Sequence, residues 1–239
     1  MLVIDTHCHI LPALDDGARI LDEAVEMARG AAKAGTRVIV ATPHWAARGP
    51  SATGDFLRRQ TAALGEALAA NGVDVRVEPG AEVALTPSLL ETAGPDTLPT
   101  LAGSEYVLVE MPTYLDWDLA RRVFFELQLR SVKIILAHPE RTAALCENYE
   151  RAQELRAGGI KLQVVLPSLV GQMNRFIRAL ARRLVRDGLA DLLASDAHDA
   201  APRSVQLARA RKLVDKLGGP GTFERLTVTG PASLLGIDT

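Results

Sequence analysis

The chain has 239 residues, 48% of them hydrophobic, a formal net charge of −2 and only 4% aromatic side chains. That leaves room for a sizeable core, while the near-neutral charge and scarce aromatics argue against nucleic acid or an anionic membrane surface as partner. Cys8 and Cys146 stand outside any CxxC spacing, which argues against a disulfide framework and fits a reducing cytoplasm.

Short β-type runs are predicted at 2–6, 37–41, 74–80, 106–110, 132–137, 160–165 and 191–194. The first ends in Asp5-Thr-His7-Cys-His9, where strand alternation puts His7 and His9 on one face and Thr6 and Cys8 on the other. Helical patterns fall between the runs, at 20–34, 55–70, 86–92, 118–130, 147–157, 173–187 and 203–217. Leu21, Ala24, Val25, Ala28 and Ala32 carry the helical spacing in the first of these. Gly35, Gly72, Gly158 and Gly188 follow helix ends, where a left-handed cap is expected. A last helical pair is expected around 222–235, after Gly218-Gly-Pro-Gly221.

Repeated strand–helix alternation implies parallel strands with outer helices, either an open doubly wound sheet or a closed barrel. No linker or internal repeat divides the chain, so 1–239 is expected to be a single domain. No stretch reaches the roughly 18 apolar residues that span a bilayer, and the N-terminus lacks the basic segment of a secretory leader. Arg175, Arg178, Arg182, Arg183 and Arg186 crowd one helix, which reads as a solvated face rather than a docking patch.

Polar placement carries the functional signal. All five histidines fall at or just after strand ends: His7 and His9, His44 in Ala-Thr-Pro-His44, His138 in His138-Pro-Glu-Arg141, and His198 in Ser195-Asp-Ala-His198. Acids take the remaining ends: Glu82 after the third run, Glu110 on the fourth, Asp196 beside His198, and Asp16 in the loop after the first. In parallel α/β folds the carboxyl ends of the strands gather on the side that holds the active site. Histidine and carboxylate without thiolate favour manganese, iron or zinc over a purely oxygen-bound magnesium or calcium. Five imidazoles and four carboxylates exceed the needs of one ion, so two or three divalent ions about 3.5–4 Å apart are expected, suited to displacement at phosphorus. Arg141 and Arg203, in loops on the same side, have the fork geometry that binds phosphate oxygens.

These residues resemble the polymerase and histidinol phosphatase (PHP) superfamily. The phrases DTHCHILPALDDGAR, ATPHW, GAEV, LAHPER, LQVVLPSLVG and ASDAH are similar to its bacterial metal-dependent protein-tyrosine phosphatases of capsule and exopolysaccharide systems. The resemblance implies an α/β fold, a distorted (β/α)7 barrel with outer helices and a metal site at the C-terminal ends of the strands. It implies His7, His9, Asp16, His44, Glu82, Glu110, His138, Asp196 and His198 as metal ligands. Arg141 and Arg203 would be the catalytic and phosphate-binding arginines.

The expected reaction is hydrolysis of phosphotyrosine by a metal-activated hydroxide, with Glu110 bridging the ions. The expected substrate is the tyrosine-rich tail of a membrane-associated tyrosine autokinase, met in the cytoplasm. Trp45 and Asp199 depart from the family's usual residues near the mouth of the site. A small-molecule phosphatase of the same superfamily is the main alternative. A metal-dependent amidohydrolase is a further one, although the strand ends lack the lysine that usually bridges its metals.

Overall fold

The computed structural model describes residues 3–45, 54–91, 93–94, 97–113, 115–171, 173–200 and 203–238, without the side chains of 203–206. Nine parallel strands are present among them: β1 (Val3–Cys8), β2 (Thr36–Ala41), β3 (His44–Trp45), β4 (Arg76–Pro79), β5 (Glu82–Ala84), β6 (Tyr106–Glu110), β7 (Lys133–Ala137), β8 (Lys161–Val165) and β9 (Leu192–Ala194). They form a three-stranded sheet, β1-β2-β4, and a six-stranded sheet, β3-β5-β6-β7-β8-β9. A parallel bridge between Cys8 and Ala197 links the end of β1 to the segment after β9.

Eight helices of the chain matter here: α1 (Leu21–Ala34), α2 (Gly54–Ala70), α3 (Trp117–Leu129), α4 (Ala143–Glu147), α5 (Glu150–Ala157), α6 (Leu166–Val170), α7 (Arg175–Arg186) and α8 (Arg203–Gly218). Their caps follow from the sequence. Asp116 accepts from the N–H groups of Asp118 and Leu119, and Asn174 from those of Phe176 and Ile177, which satisfies donors that α3 and α7 leave open. Gly35 ends α1 in the left-handed conformation, as its residue type requires.

The apolar faces of these helices are buried in two large clusters. One joins Phe124, Leu127, Leu155 and Leu184 to Val107, Ile134 and Leu162; the other joins Ala24, Met27, Leu64 and Leu68 to Ile39 and Ala41. Each such large side chain contributes about 1.5–3 kcal/mol by leaving water. A third cluster holds the opposite side chains of several strands, Ile4, Val38, Val40, Leu108, Ile135 and Leu192, with Leu235 and Ile237 from the C-terminal segment. No helix among the described residues is long and apolar enough to cross a membrane.

Several expectations change in detail. The predicted strand at 74–80 is two strands, β4 and β5, parted at Gly80. A Cβ on Gly80 would come within 2.9 Å of Leu101 and Val40, so the break lets Leu101 close in. The helix predicted at 147–157 is the pair α4 and α5, and α6 was not predicted. The left-handed cap after α5 is Gly159 rather than Gly158, whose φ is −74°. The arginines of α7 find local partners: Arg182 donates to the Leu169 carbonyl, and Arg183 lies over the Tyr149 ring.

Candidate metal centre

Backbone hydrogen bonds tie the strand ends together. The Asp196 N–H donates to the His7 carbonyl and the His9 N–H to that of Ala197, both at 2.9 Å. The Thr42 N–H donates to Cys8 and the Glu82 N–H to Pro43. The carboxyl ends of β9, β1 and β2 and the start of β5 are thereby held at one level. His138 and Asp196 have φ of 31° and 50°, a left-handed backbone that costs a non-glycine residue about 1–2 kcal/mol. Such strain persists only where the surroundings enforce it, and it clusters at functional sites.

All nine predicted ligands meet at these ends. Glu82, only 2% exposed, lies at the centre. Its Oε2 is 3.3 Å from His7 Nε2, 3.4 Å from His9 Nε2 and 3.2 Å from His44 Nδ1, and its Oε1 is 2.9 Å from His138 Nε2. Asp196 Oδ1 stands 3.4 Å from His7 Nε2 and 3.6 Å from His9 Nε2. At the mouth, Asp16 reaches His44 Nε2 at 3.6 Å and His198 Nε2 at 3.4 Å. Ligand atoms of His44, Glu82 and Glu110 lie within 4.8 Å of one another. Glu82, not Glu110, is thus the carboxylate that touches the most histidines.

Arg141 pairs with Asp196, Nη1 to Oδ2 at 2.6 Å, and its buried Nε has no hydrogen-bond partner. Arg203 begins α8, and its side chain lies outside the described residues.

Three residues of the site were not read from the sequence. Gln163 on β8 sits behind His7, with its Oε1 2.9 Å from His7 Nδ1 and its Nε2 donating to Thr6 Oγ1. Thr6 therefore shares a partner with His7, against strict alternation. The β1–β2 register shifts between Asp5 and Cys8, and such an irregularity lets neighbouring side chains face the same way. Cys8 keeps its expected place, packed toward α1 and α2. Asp15 backs His9, with Oδ2 2.6 Å from Nδ1. Its signal was hidden by the adjacent Asp16.

The donor geometry fits a cation. Gln163 and Asp15 accept at Nδ1, which assigns the ring protons of His7 and His9 there and leaves both Nε2 lone pairs facing inward. Those two atoms are 3.1 Å apart and both face Glu82 and Asp196. So many electron pairs repel unless positive charge lies among them. Without a metal, protons supply it. Burial alone would lower His9, but the Asp15, Asp196 and Glu82 carboxylates push it up to about 12. His7 is raised by Glu82 and Asp196 against its burial, and His44 by its hydrogen bond to Glu82. The carboxyls respond in kind: despite burial, Glu82 and Asp196 are held well below the usual carboxylate range by the surrounding histidines. Imidazole nitrogen and carboxylate oxygen without thiolate suit a divalent transition metal.

Comparison with known proteins extends this picture. The profile of the family described as "Capsular polysaccharide synthesis, CpsB/CapC" matches residues 3–236. The tyrosine-protein phosphatase YwqE of Bacillus subtilis is 32% identical over 214 residues, covering 90% of this chain and 84% of its own. A solved structure described under "YwqE from Bacillus subtilis and CpsB from Streptococcus pneumoniae, unique metal-dependent tyrosine phosphatases" superposes with a TM-score of 0.88 at 32% identity, over 99% of this chain and 95% of that one. A variant of the organophosphorus hydrolase from Deinococcus radiodurans shares the fold alone, with a TM-score of 0.61 at 16% identity over 98% and 93% of the two chains.

Proposed function

Since the chain belongs to the CpsB/CapC family of capsular polysaccharide synthesis, we propose that its strand-end cluster is the active site of a metal-dependent protein-tyrosine phosphatase. The observation that carries this reading is Glu82 amid four histidines, with the Nε2 atoms of His7 and His9 turned on one another. We assign His7, His9, Asp16, His44, Glu82, Glu110, His138, Asp196 and His198 as ligands of two or three divalent ions, manganese first and iron or zinc as alternatives. A family member of this similarity is described as metal-dependent.

Bound metals would supply an activated water for attack at phosphorus. The chain's own residues do the rest. His7 and His9 keep their protons on Nδ1 and present lone pairs. Arg141 and Arg203 bind phosphoryl oxygens and offset charge as it grows in the transition state; the Arg141 side chain, held by Asp196, stays partly exposed beside the cluster. The phenol leaves with a pKa of about 10, so it demands less protonation than an alcohol.

The whole of 1–239 would form one domain, a distorted (β/α)7 barrel. The Cys8–Ala197 bridge and the cluster around Ile4, Val40 and Leu108 support that shape. The substrate would be a phosphotyrosine-bearing protein, the tail of a membrane-associated tyrosine autokinase, met in the cytoplasm. Turnover of phosphotyrosine peptides should be compared with that of small phosphate esters on protein of measured metal content. Hydrolysis of the small esters alone would overturn the protein-phosphatase reading.

Metal and protons compete for the same nitrogens. Because His7, His9 and His44 are raised above the ordinary value of about 6.5, binding at neutral pH should displace protons, and affinity should climb as pH rises. Calorimetry in buffers of different ionisation enthalpy measures this release; equal apparent enthalpies would mean the histidines were already neutral.

No thiol nucleophile is needed. Cys146 lies at the surface of α4 but its Sγ is partly covered and reaches the Glu140 carbonyl at 3.3 Å; that partial burial, with Glu140 and Glu147 nearby, raises its pKa, which favours the protonated, less reactive thiol. Cys146→Ser is expected to hold kcat/KM within about twofold, since surface changes of this kind cost under about 0.5 kcal/mol. A loss of several orders of magnitude would point to a cysteine mechanism.

A further inference from the structure

We propose that Asp15 is a positioning residue that orients His9 toward the metal cluster and locks it to the start of β3 at His44. This rests on the metal reading of the same site. The two consecutive aspartates divide the work. Asp16 is 67% exposed at the side chain and reaches His44 and His198 at the mouth. Asp15 is 4% exposed and turns behind the cluster.

One carboxylate makes three contacts there. Its Oδ2 accepts from His9 Nδ1 at 2.6 Å and from the His44 backbone N–H at 2.9 Å. Its Oδ1 accepts from the Gly17 N–H at 2.9 Å. The first fixes which ring nitrogen carries the proton, so that Nε2 faces Glu82 and Asp196 with its lone pair. The second couples β1's histidine to the segment after β2. The third closes a turn so tight that a Cβ on Gly17 would lie 2.0 Å from the His9 carbonyl oxygen; only glycine fits.

His7 has a different backing. Its Nδ1 meets the neutral amide oxygen of Gln163, whereas His9 meets an anion. An anionic acceptor makes the imidazole a stronger electron donor. His9 should therefore bind metal more strongly than its neighbour, and that advantage should depend on Asp15.

The test uses Asp15→Ala and Asp15→Asn in the full chain. Nitrogen-15 NMR of the histidine side chains in metal-free protein should show an exchange-protected, downfield Nδ1–H for His9 that disappears in Asp15→Ala. Zinc affinity, measured by chelator competition, should fall about 10- to 100-fold in Asp15→Ala. Asp15→Asn keeps the volume and a neutral acceptor, so it should fall less, with the unfolding temperature of the metal-free protein little changed. If Asp15→Ala does not fold, the asparagine variant carries the comparison. An affinity within twofold of the parent in both variants, or no protected His9 proton in the parent, overturns the role of Asp15. A parent that shows the proton but takes up neither zinc nor manganese overturns the metal reading and the role of Asp15 with it.

Discussion

Replacing Glu82 by glutamine is expected to lower kcat/KM by about a thousandfold, which corresponds to about 4 kcal/mol of lost transition-state stabilisation. Glu82 is the carboxylate that faces His7, His9, His44 and His138 at 2.9–3.4 Å. Glutamine preserves the shape but removes the negative charge that offsets a bound cation and replaces one ligating oxygen by an amide nitrogen with no free lone pair. The loss should appear in kcat as well as KM, with metal content reduced in the purified variant. Glu110→Gln is the informative companion. Glu110 is half-buried and, among the described residues, its ligand atom groups with those of His44 and Glu82, so its change should cost less, about 10- to 100-fold. A Glu110 variant more damaged than the Glu82 variant would move the centre of the cluster back to Glu110, as the sequence alone suggested.

Stripping divalent cations is expected to abolish phosphatase activity and to lower the melting temperature by about 10 °C. A cation at about a thousand times its dissociation constant stabilises the folded state by about 4 kcal/mol, and 1 kcal/mol shifts a chain of this size by about 2–4 °C. The structural cause is the 3.1 Å approach of His7 Nε2 to His9 Nε2 beside two carboxylates. Removing the metal leaves only protons to hold that cluster together. Differential scanning calorimetry with and without a chelator reads the shift, and separate restoration with manganese, iron or zinc ranks the metals. Full activity in chelated protein, with an unchanged melting temperature, would sink the metal assignment.

Parallel strands alternating with helices, and polar residues placed at strand ends, are both legible in the amino-acid sequence. The reason is local. Helical spacing in 21–34 and β-type runs such as 106–110 are properties of neighbours along the chain. A parallel α/β arrangement then sends every strand's carboxyl end to one side, so His7, His44, His138 and His198 could be grouped without knowing one distance. The expected inward packing of Cys8 followed from the same alternation, and it is buried beside α1 and α2.

What lay beyond the sequence was everything that depends on register between distant strands. Thr6 and His7 both reach Gln163, 157 and 156 residues away, because the β1–β2 pairing slips between Asp5 and Cys8; alternation cannot foresee a slip. The choice of Asp15 over Asp16 behind His9 depends on a turn that closes only through Gly17. Glu82 touches more histidines than Glu110 because β4 and β5 part at Gly80 and bring residue 82 beside His44. Composition and spacing by themselves determined most element types, the side of the fold that carries the polar cluster and its histidine–carboxylate make-up without thiolate. The tertiary structure alone decided which acid touches the most histidines, which lies behind His9 and which partner backs His7, since those depend on ångström-scale distances between residues that no local pattern relates.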